Sequence, residues 1–273
     1  MSEPSSEVQF SLESTIKAVN ELEKDINNRQ LITRPFDQHP FDIVACELLA
    51  KAFALSRSAI LLVEHGFSDE AFGLCRSIYE SAMYLRYITR DSSKLDERAL
   101  AFLKFGRDSK AFWLHILKDS AALTPDELKE MEDYAADNEI PTDPKIMMRP
   151  WSGVKDMIRT TSQESHPLDA PALTKSIRDR QRAFAYTDTS CYVHCTQPGL
   201  NNYTVDEGQP IQVGNAHEGS IDNEPKTCVA IQFHLAEIYR YCMFGMGVLP
   251  LEAFLTSDDK APTDDPGQHE SFH

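Results

Sequence analysis

Arg76 and Glu80 stand four residues apart in the segment EAFGLCRSIYESAMYLRYI, and Ser190 and His194 stand four apart in TDTSCYVHCTQPG. In a helix, that spacing puts each pair on one face. Arg presents a planar fork of donors that holds a phosphate or carboxylate by two parallel bonds. His moves a proton near neutral pH. Glu80 can orient Arg76 or His194, and Ser190 supplies a hydroxyl beside the imidazole. If the two helices face each other, these groups meet with Tyr79, Tyr87, Thr187 and Tyr192 nearby. That is the minimum set for metal-independent phosphodiester cleavage: a proton carrier, and a cation that stabilises developing charge. The expected catalytic residues are therefore His194, Arg76 and Glu80, and the expected substrate-binding residues are Ser190, Tyr79, Tyr87 and Thr187.

Each feature also has a plainer reading. An Arg–Glu pair on a solvated helix face adds about 0.2–0.5 kcal/mol, and the better order is Glu first. Here the order is reversed and the neighbours are aromatic rings and Met. A buried pair kept only for stability gains little, because desolvation offsets its attraction. His194 precedes Pro198 and can simply cap helix carbonyls. On an α-helical wheel, Ala183, Thr187, Ser190 and His194 form one stripe able to line a cavity. Both readings stand at this point.

The elements that must position these groups are helical. The spacing of Ile16, Val19, Leu22 and Ile26 predicts an amphipathic helix over Ser11–Asn28. Prolines in Arg34–Pro40 break it. A long Ala- and Leu-rich helix is expected over Phe41–His65, ending at Gly66. Ser68 is the expected N-cap of the next helix, which runs to about Arg90. The short loop between them implies an antiparallel hairpin. The second helix carries apolar residues on opposite faces: Ala71, Cys75, Ile78, Ala82 and Leu85 against Phe72, Tyr79, Met83 and Tyr87. It should be buried on two sides.

Further helices are expected over Lys94–Lys118, from Thr124-Pro-Asp-Glu to about Asn138, over Trp151–Thr161, Pro171–Cys195 and Lys226–Phe254. Thr196–Pro225 lacks a helical period and is long for a loop. Tyr203–Val205 and Ile211–Val213 can pair there as a small hairpin. The expected fold is all-α, an up-and-down or irregular bundle of about six or seven helices. It forms a single helical domain over residues 1–255, with a disordered acidic tail over 256–273.

The blocks RSIYESAMYLRYI and SCYVHCTQPGLNNY resemble the uncharacterised bacterial helical family catalogued as domain of unknown function 5677. The family pattern is R-x-x-x-E on a helix near an upstream Ala/Leu-rich helix, then Ser-x-x-x-His on a later one. Arg76, Glu80, Ser190 and His194 match it, and Trp151 with Ser152 lies where the family often has Trp and Ser. The resemblance covers roughly residues 40–250. It implies an all-α bundle and carries no established activity.

Composition narrows the function. The chain has 273 residues, a formal charge of −16 and 41% hydrophobic residues. It is long enough to bury a sizeable core. The acidic balance disfavours a protein that coats nucleic acid or an anionic membrane. MSEPSSEVQF does not read as a secretory signal, and the apolar run around Ala59–Val63 is too short to span a bilayer. Six scattered cysteines read as reduced core residues of a cytoplasmic protein. Glu-x-x-His occurs only at Glu270, so neither a dimetal site nor any other metal or cofactor is expected.

No P-loop, GxGxxG or Gly-x-Ser-x-Gly is present. Helical RNases of the HEPN class carry Arg, four to six residues, then His. Arg34 to His39 and Arg159 to His166 fit, but both lie beside prolines in expected loops, at a frequency chance supplies. The expectation is a stress- or defence-related ribonuclease with a polar interior pocket. The alternatives are a sensor of a small anionic molecule and a structural homodimer. A homo-oligomer is expected on general grounds.

Overall fold

A computed structural model describes residues 10–29, 34–35, 37–104, 124–137, 161, 164–169, 175–189, 193 and 223–249. Within them the chain is helical, with no strand. In chain order the helices are α1 (Leu12–Arg29), α2 (Pro40–Glu64), α3 (Ser68–Thr89), α4 (95–104, after a 3-10 turn at Ser92–Lys94), α5 (Pro125–Asp137), α6 (Lys175–Arg182) and α7 (Glu224–Gly245). The family-level expectation of an all-α bundle is met. The expected hairpin at 203–213 and the tail at 256–273 lie outside the described residues. So do most of the expected helix at 151–161 and the second half of that at 94–118.

The core is built by α2, α3 and α7, with α1 laid against α7 and α2. On α2, Ala45, Ala52 and Ala59 recur every seven residues and are fully buried. A small side chain at each second turn lets neighbouring backbones approach. The approach is close enough for the Cys242 thiol of α7 to donate to the Ala45 carbonyl at 3.4 Å. Both faces of α3 are buried, as its two apolar stripes predict: Ala71, Cys75, Ile78, Ala82 and Leu85 on one, Phe72, Tyr79 and Met83 on the other. Cys75, Cys228 and Cys242 are buried free thiols, and Cys46 is half-buried. Burial pushes the Cys75 thiol up, and the adjacent Cys228 adds to it.

The α2–α3 hairpin closes as expected, through Gly66 at φ 84. Gly66 N–H donates to the Val63 carbonyl and Phe67 N–H to the Leu62 carbonyl, which ties off the last turn. Ser68 does not cap α3. It is the first helical residue and is buried, and Phe67 sits at the cap without a side-chain bond. The α5 start does follow its sequence signal. The Thr124 N–H donates to Glu127 at 2.8 Å, and the Glu127 N–H returns to Thr124 Oγ1.

Helix α7 is shorter than its apolar pattern suggests. It stops at Gly245, not Phe254. Gly247 adopts φ 68, Val248 N–H donates to the Met243 carbonyl, and Gly247 N–H to the Phe244 carbonyl. The left-handed glycine turns the chain out of the helix. Gly245 has a second role. A Cβ there would lie 2.3 Å from the ring of Phe41, which is fully buried at the start of α2. We expect Gly245→Ala to destabilise by about 1–3 kcal/mol through overpacking. Denaturant unfolding would show this as a lowered midpoint at unchanged slope.

Candidate functional site

Sequence reasoning singled out α3, and two polar assemblies sit along it. The first surrounds Arg76. Its Nε donates to Glu80 Oε1 at 3.0 Å, so the two expected catalytic residues on α3 do pair. The pair is half-buried, with side-chain exposures of 18% and 24%. The guanidinium lies 4.7 Å over the ring of Tyr186 and donates from Nη2 to its hydroxyl at 3.4 Å. Tyr84, one turn beyond Glu80, completes the edge. Its phenol is pushed up to about 12 by burial, then by Glu80 and Tyr186, so it stays protonated as a donor. The ring of Tyr79 stands 6.4 Å from Tyr186 and 5.0 Å, edge-on, from His234 of α7.

Tyr186 reaches Arg76 from a π-helical turn, Ala183–Asp188, that continues α6. The sequence predicts one regular helix over 171–195. The wider i→i+5 turn breaks that register. Ala183, expected at the head of a cavity-lining stripe, is exposed. The buried face passes instead through Ala185 and Thr189, whose Oγ1 donates to the Ala185 carbonyl at 2.7 Å. Phe184 packs on Phe72 of α3 at 5.3 Å. The expected meeting of the α3 and 171–195 helices therefore occurs, in a different register. Ser190, His194 and Tyr192, with the side chain of Thr187, lie outside the described residues. Tyr87 is not beside Arg76. It is eleven residues along the helix, about 16 Å. There the guanidinium carbons of Arg90 and Arg98 sit 5.1 and 5.2 Å from its ring centre.

The second assembly was not anticipated. Arg86, on α3, is almost completely buried, and each of its five N–H donors has an acceptor. Nε serves the Thr161 carbonyl at 3.2 Å. Nη1 serves Asp169 Oδ1 at 2.5 Å and the Tyr241 hydroxyl at 2.9 Å. Nη2 serves the Glu164 carbonyl at 2.7 Å and Asp169 Oδ2 at 2.8 Å. Asp169 Oδ2 also accepts from the His166 N–H at 2.8 Å and from Arg178 at 3.4 Å. Burial pushes Arg86 down, but Asp169 and Tyr241 more than reverse this, and its pKa rises. Arg86 thus has no donor left for a ligand. It is a bolt that fastens Thr161, Glu164 and Asp169 to α3 and α7. The sequence did hold a signal, since Arg86 lies four residues after Ala82 and three after Met83, in core register.

His166 belongs to this bolt. Its Nδ1 accepts the Leu168 N–H at 3.0 Å, so that nitrogen carries no proton. Its Nε2 meets Thr89 Oγ1 at 3.1 Å, and Thr89 donates onward to the Leu85 carbonyl. The network requires a neutral ring protonated at Nε2. Burial, then the Arg86 charge, lowers its pKa to about 4 from an ordinary 6.5. Between those values the unfolded chain binds the extra proton, so stability is complete above pH 6.5 and is lost as pH falls towards 4. We expect a loss of about 2 kcal/mol from pH 7 to pH 5, absent in His166→Gln, as read from urea midpoints at each pH. Arg86→Met should cost about 3–5 kcal/mol at neutral pH, because Asp169 loses its main charge partner and keeps only the longer Arg178 contact at 3.4 Å. Arg86→Lys should recover little of it, having lost the planar fork.

Among the described residues, no group of three or more His, Cys, Asp or Glu is placed to hold a metal. None of their helices is long and apolar enough to cross a membrane. No curated protein and no solved structure matches the chain. One family model does, over residues 42–210, a span that contains all but the first two residues of α2, the whole of α3 with Arg76 and Arg86, and the Ser190–His194 block. That match covers well over half of the sequence, and the chain belongs to the family of unknown function DUF5677.

Proposed function

We propose that the chain is a pocket protein that recognises a small phosphate- or carboxylate-bearing molecule at Arg76. One observation carries the reading. The Arg76 guanidinium is half-buried, steered by Glu80 from one edge and stacked over Tyr186. A guanidinium held in a fixed plane on an aromatic face is pre-organised for a bidentate anion. The π-helical turn that delivers Tyr186 supports it too, since such turns recur at functional sites. A net charge of −16 repels polyanions at long range and favours a small ligand over nucleic acid.

The experiment is thermal unfolding of the full chain with inorganic phosphate, a nucleoside monophosphate and acetate as separate probes. We expect a concentration-dependent rise in Tm with at least one of them, lost in Arg76→Met at an unchanged ligand-free fold. A rise that survives Arg76→Met would overturn the proposal.

A ribonuclease is the second reading. It is favoured because Ser190 directly follows Thr189, the buried end of the turn that meets Arg76, so the Ser190–His194 block continues from that contact. In this reading His194 carries the proton and Arg76 the developing charge. Tightly induced expression should then arrest bacterial growth and fragment total RNA, and His194→Ala should abolish both. Equal growth with intact RNA for wild type and variant counts against it.

A further inference from the structure

Helices α1 and α2 leave an open groove of about 310 Å³ along their outer side, lined by Ile16 and Val19 of α1 and by Arg57, Ile60, Leu61 and Glu64 of α2. It contains neither Arg76 nor Glu80. Val19 is its buried floor. Leu61 stands 56% exposed, the highest value for a large apolar side chain among the described residues. An isolated exposed Leu needs no explanation. This one rises beside a groove whose floor is also apolar, so one surface carries both a knob and a hole.

The charges on the same face follow a matching pattern. Arg57 and Glu64 are seven residues apart, close to two full turns, so they emerge on one flank of α2, about 10 Å apart along its axis. Ile60 and Leu61 lie midway between them. Both charged side chains are exposed. Arg57 gives Nη2 to Glu23 of α1 and keeps its other four N–H groups outside that bond. Glu64 has no ion pair among the described residues.

A cation and an anion placed symmetrically about an apolar centre are complementary to themselves. In a two-fold contact, residue i meets j of the other copy and j meets i. With the axis between Ile60 and Leu61, an antiparallel pairing of α2 with α2 sets Arg57 against Glu64 of the other copy, and does so twice. The same operation lowers each Leu61 into the other copy's groove. We infer that this face joins two copies of the chain, with Leu61 as its apolar centre and the two Arg57–Glu64 pairs as its register.

The test is sedimentation equilibrium of the full chain over about 1–100 μM. We expect twice the chain mass of 30.9 kDa at the upper end. Leu61→Asp should weaken association about tenfold or more, by placing a carboxylate at the apolar centre. The register is tested by charge reversal in a Glu23→Gln background, so that a new carboxylate at position 57 does not meet Glu23. There Glu64→Arg sets arginine against arginine and should weaken association about tenfold or more, whereas adding Arg57→Glu restores it. Arg76→Met should leave the mass unchanged, so the outcome is separate from that at the Arg76 pocket. If Leu61→Asp fails to fold, as judged by circular dichroism, the charge reversal still decides. A monomer throughout the range overturns the inference. So does a dimer indifferent to Leu61→Asp and Glu64→Arg, and so does a double reversal that associates no better than Glu64→Arg alone.

Discussion

A cation taken out of water is the constraint around which this bundle is arranged. Burying the Arg86 guanidinium is unfavourable unless every donor finds an acceptor and its charge finds a partner. Asp169 supplies the charge and two of the acceptors; two backbone carbonyls and the Tyr241 hydroxyl supply the rest. The acceptors come from two separated stretches of chain and the arginine from a third. The requirement therefore acts as a register lock: residues 161–169, α3 and α7 cannot slide past one another without stranding a donor. The neutral tautomer of His166 follows from the same lock, because the Leu168 N–H that occupies its Nδ1 is fixed by the loop that Arg86 holds.

Two arginines on one helix thus meet opposite fates, and the difference lies in what packs against each. Arg86 points into a place where α3 meets two other stretches, both of which offer acceptors. Arg76, ten residues earlier, faces an aromatic π-helical turn, where the Tyr186 hydroxyl accepts from its Nη2 at 3.4 Å. A stacked guanidinium keeps its plane and remains polar at its edges. The first cation is wholly buried, and the second is half-buried, paired with Glu80 and stacked on a ring. This is why the rarer feature, the fully buried one, is the weaker candidate for ligand chemistry.

The local rules made most of the frame legible. Helix periods, the Gly66 stop and the two apolar stripes of α3 all follow from nearest-neighbour sequence signals, and so does the Arg76–Glu80 pair at four-residue spacing. What was not legible depends on distant partners. Arg86 lies 75 residues from Thr161 and 155 from Tyr241, and no spacing rule connects them. The Arg34 fork on buried Asp42 was hidden for a different reason, since proline-rich sequence there signals only a break. The π-helical turn escaped because a wheel drawn at a constant pitch cannot show an extra residue per turn. The end of α7 escaped because the apolar pattern continues past Gly245, while the left-handed Gly247 overrides it.

The position of His234 shows how packing can place a charged group without exposing it. On α7 it lies between Tyr79, edge-on at 5.0 Å, and Phe233 at 5.2 Å, with Glu237 at its Nδ1. Tyr79 in turn touches the ring that carries Arg76. Tyr79 of α3 and His234 of α7 therefore stand between the Arg76 pocket and the Glu237 carboxylate. Both are built on rigid helices, and both are backed by aromatic rings rather than by solvent. A carboxylate backed this way is oriented by its buried neighbour, so its direction is set by the fold. The same argument holds for Arg240, whose anchor is a backbone carbonyl of the loop that Arg86 fastens. The buried bolt at Arg86 thus reaches beyond its own partners: its acceptors fix the 164–169 segment, and that segment fixes Arg240.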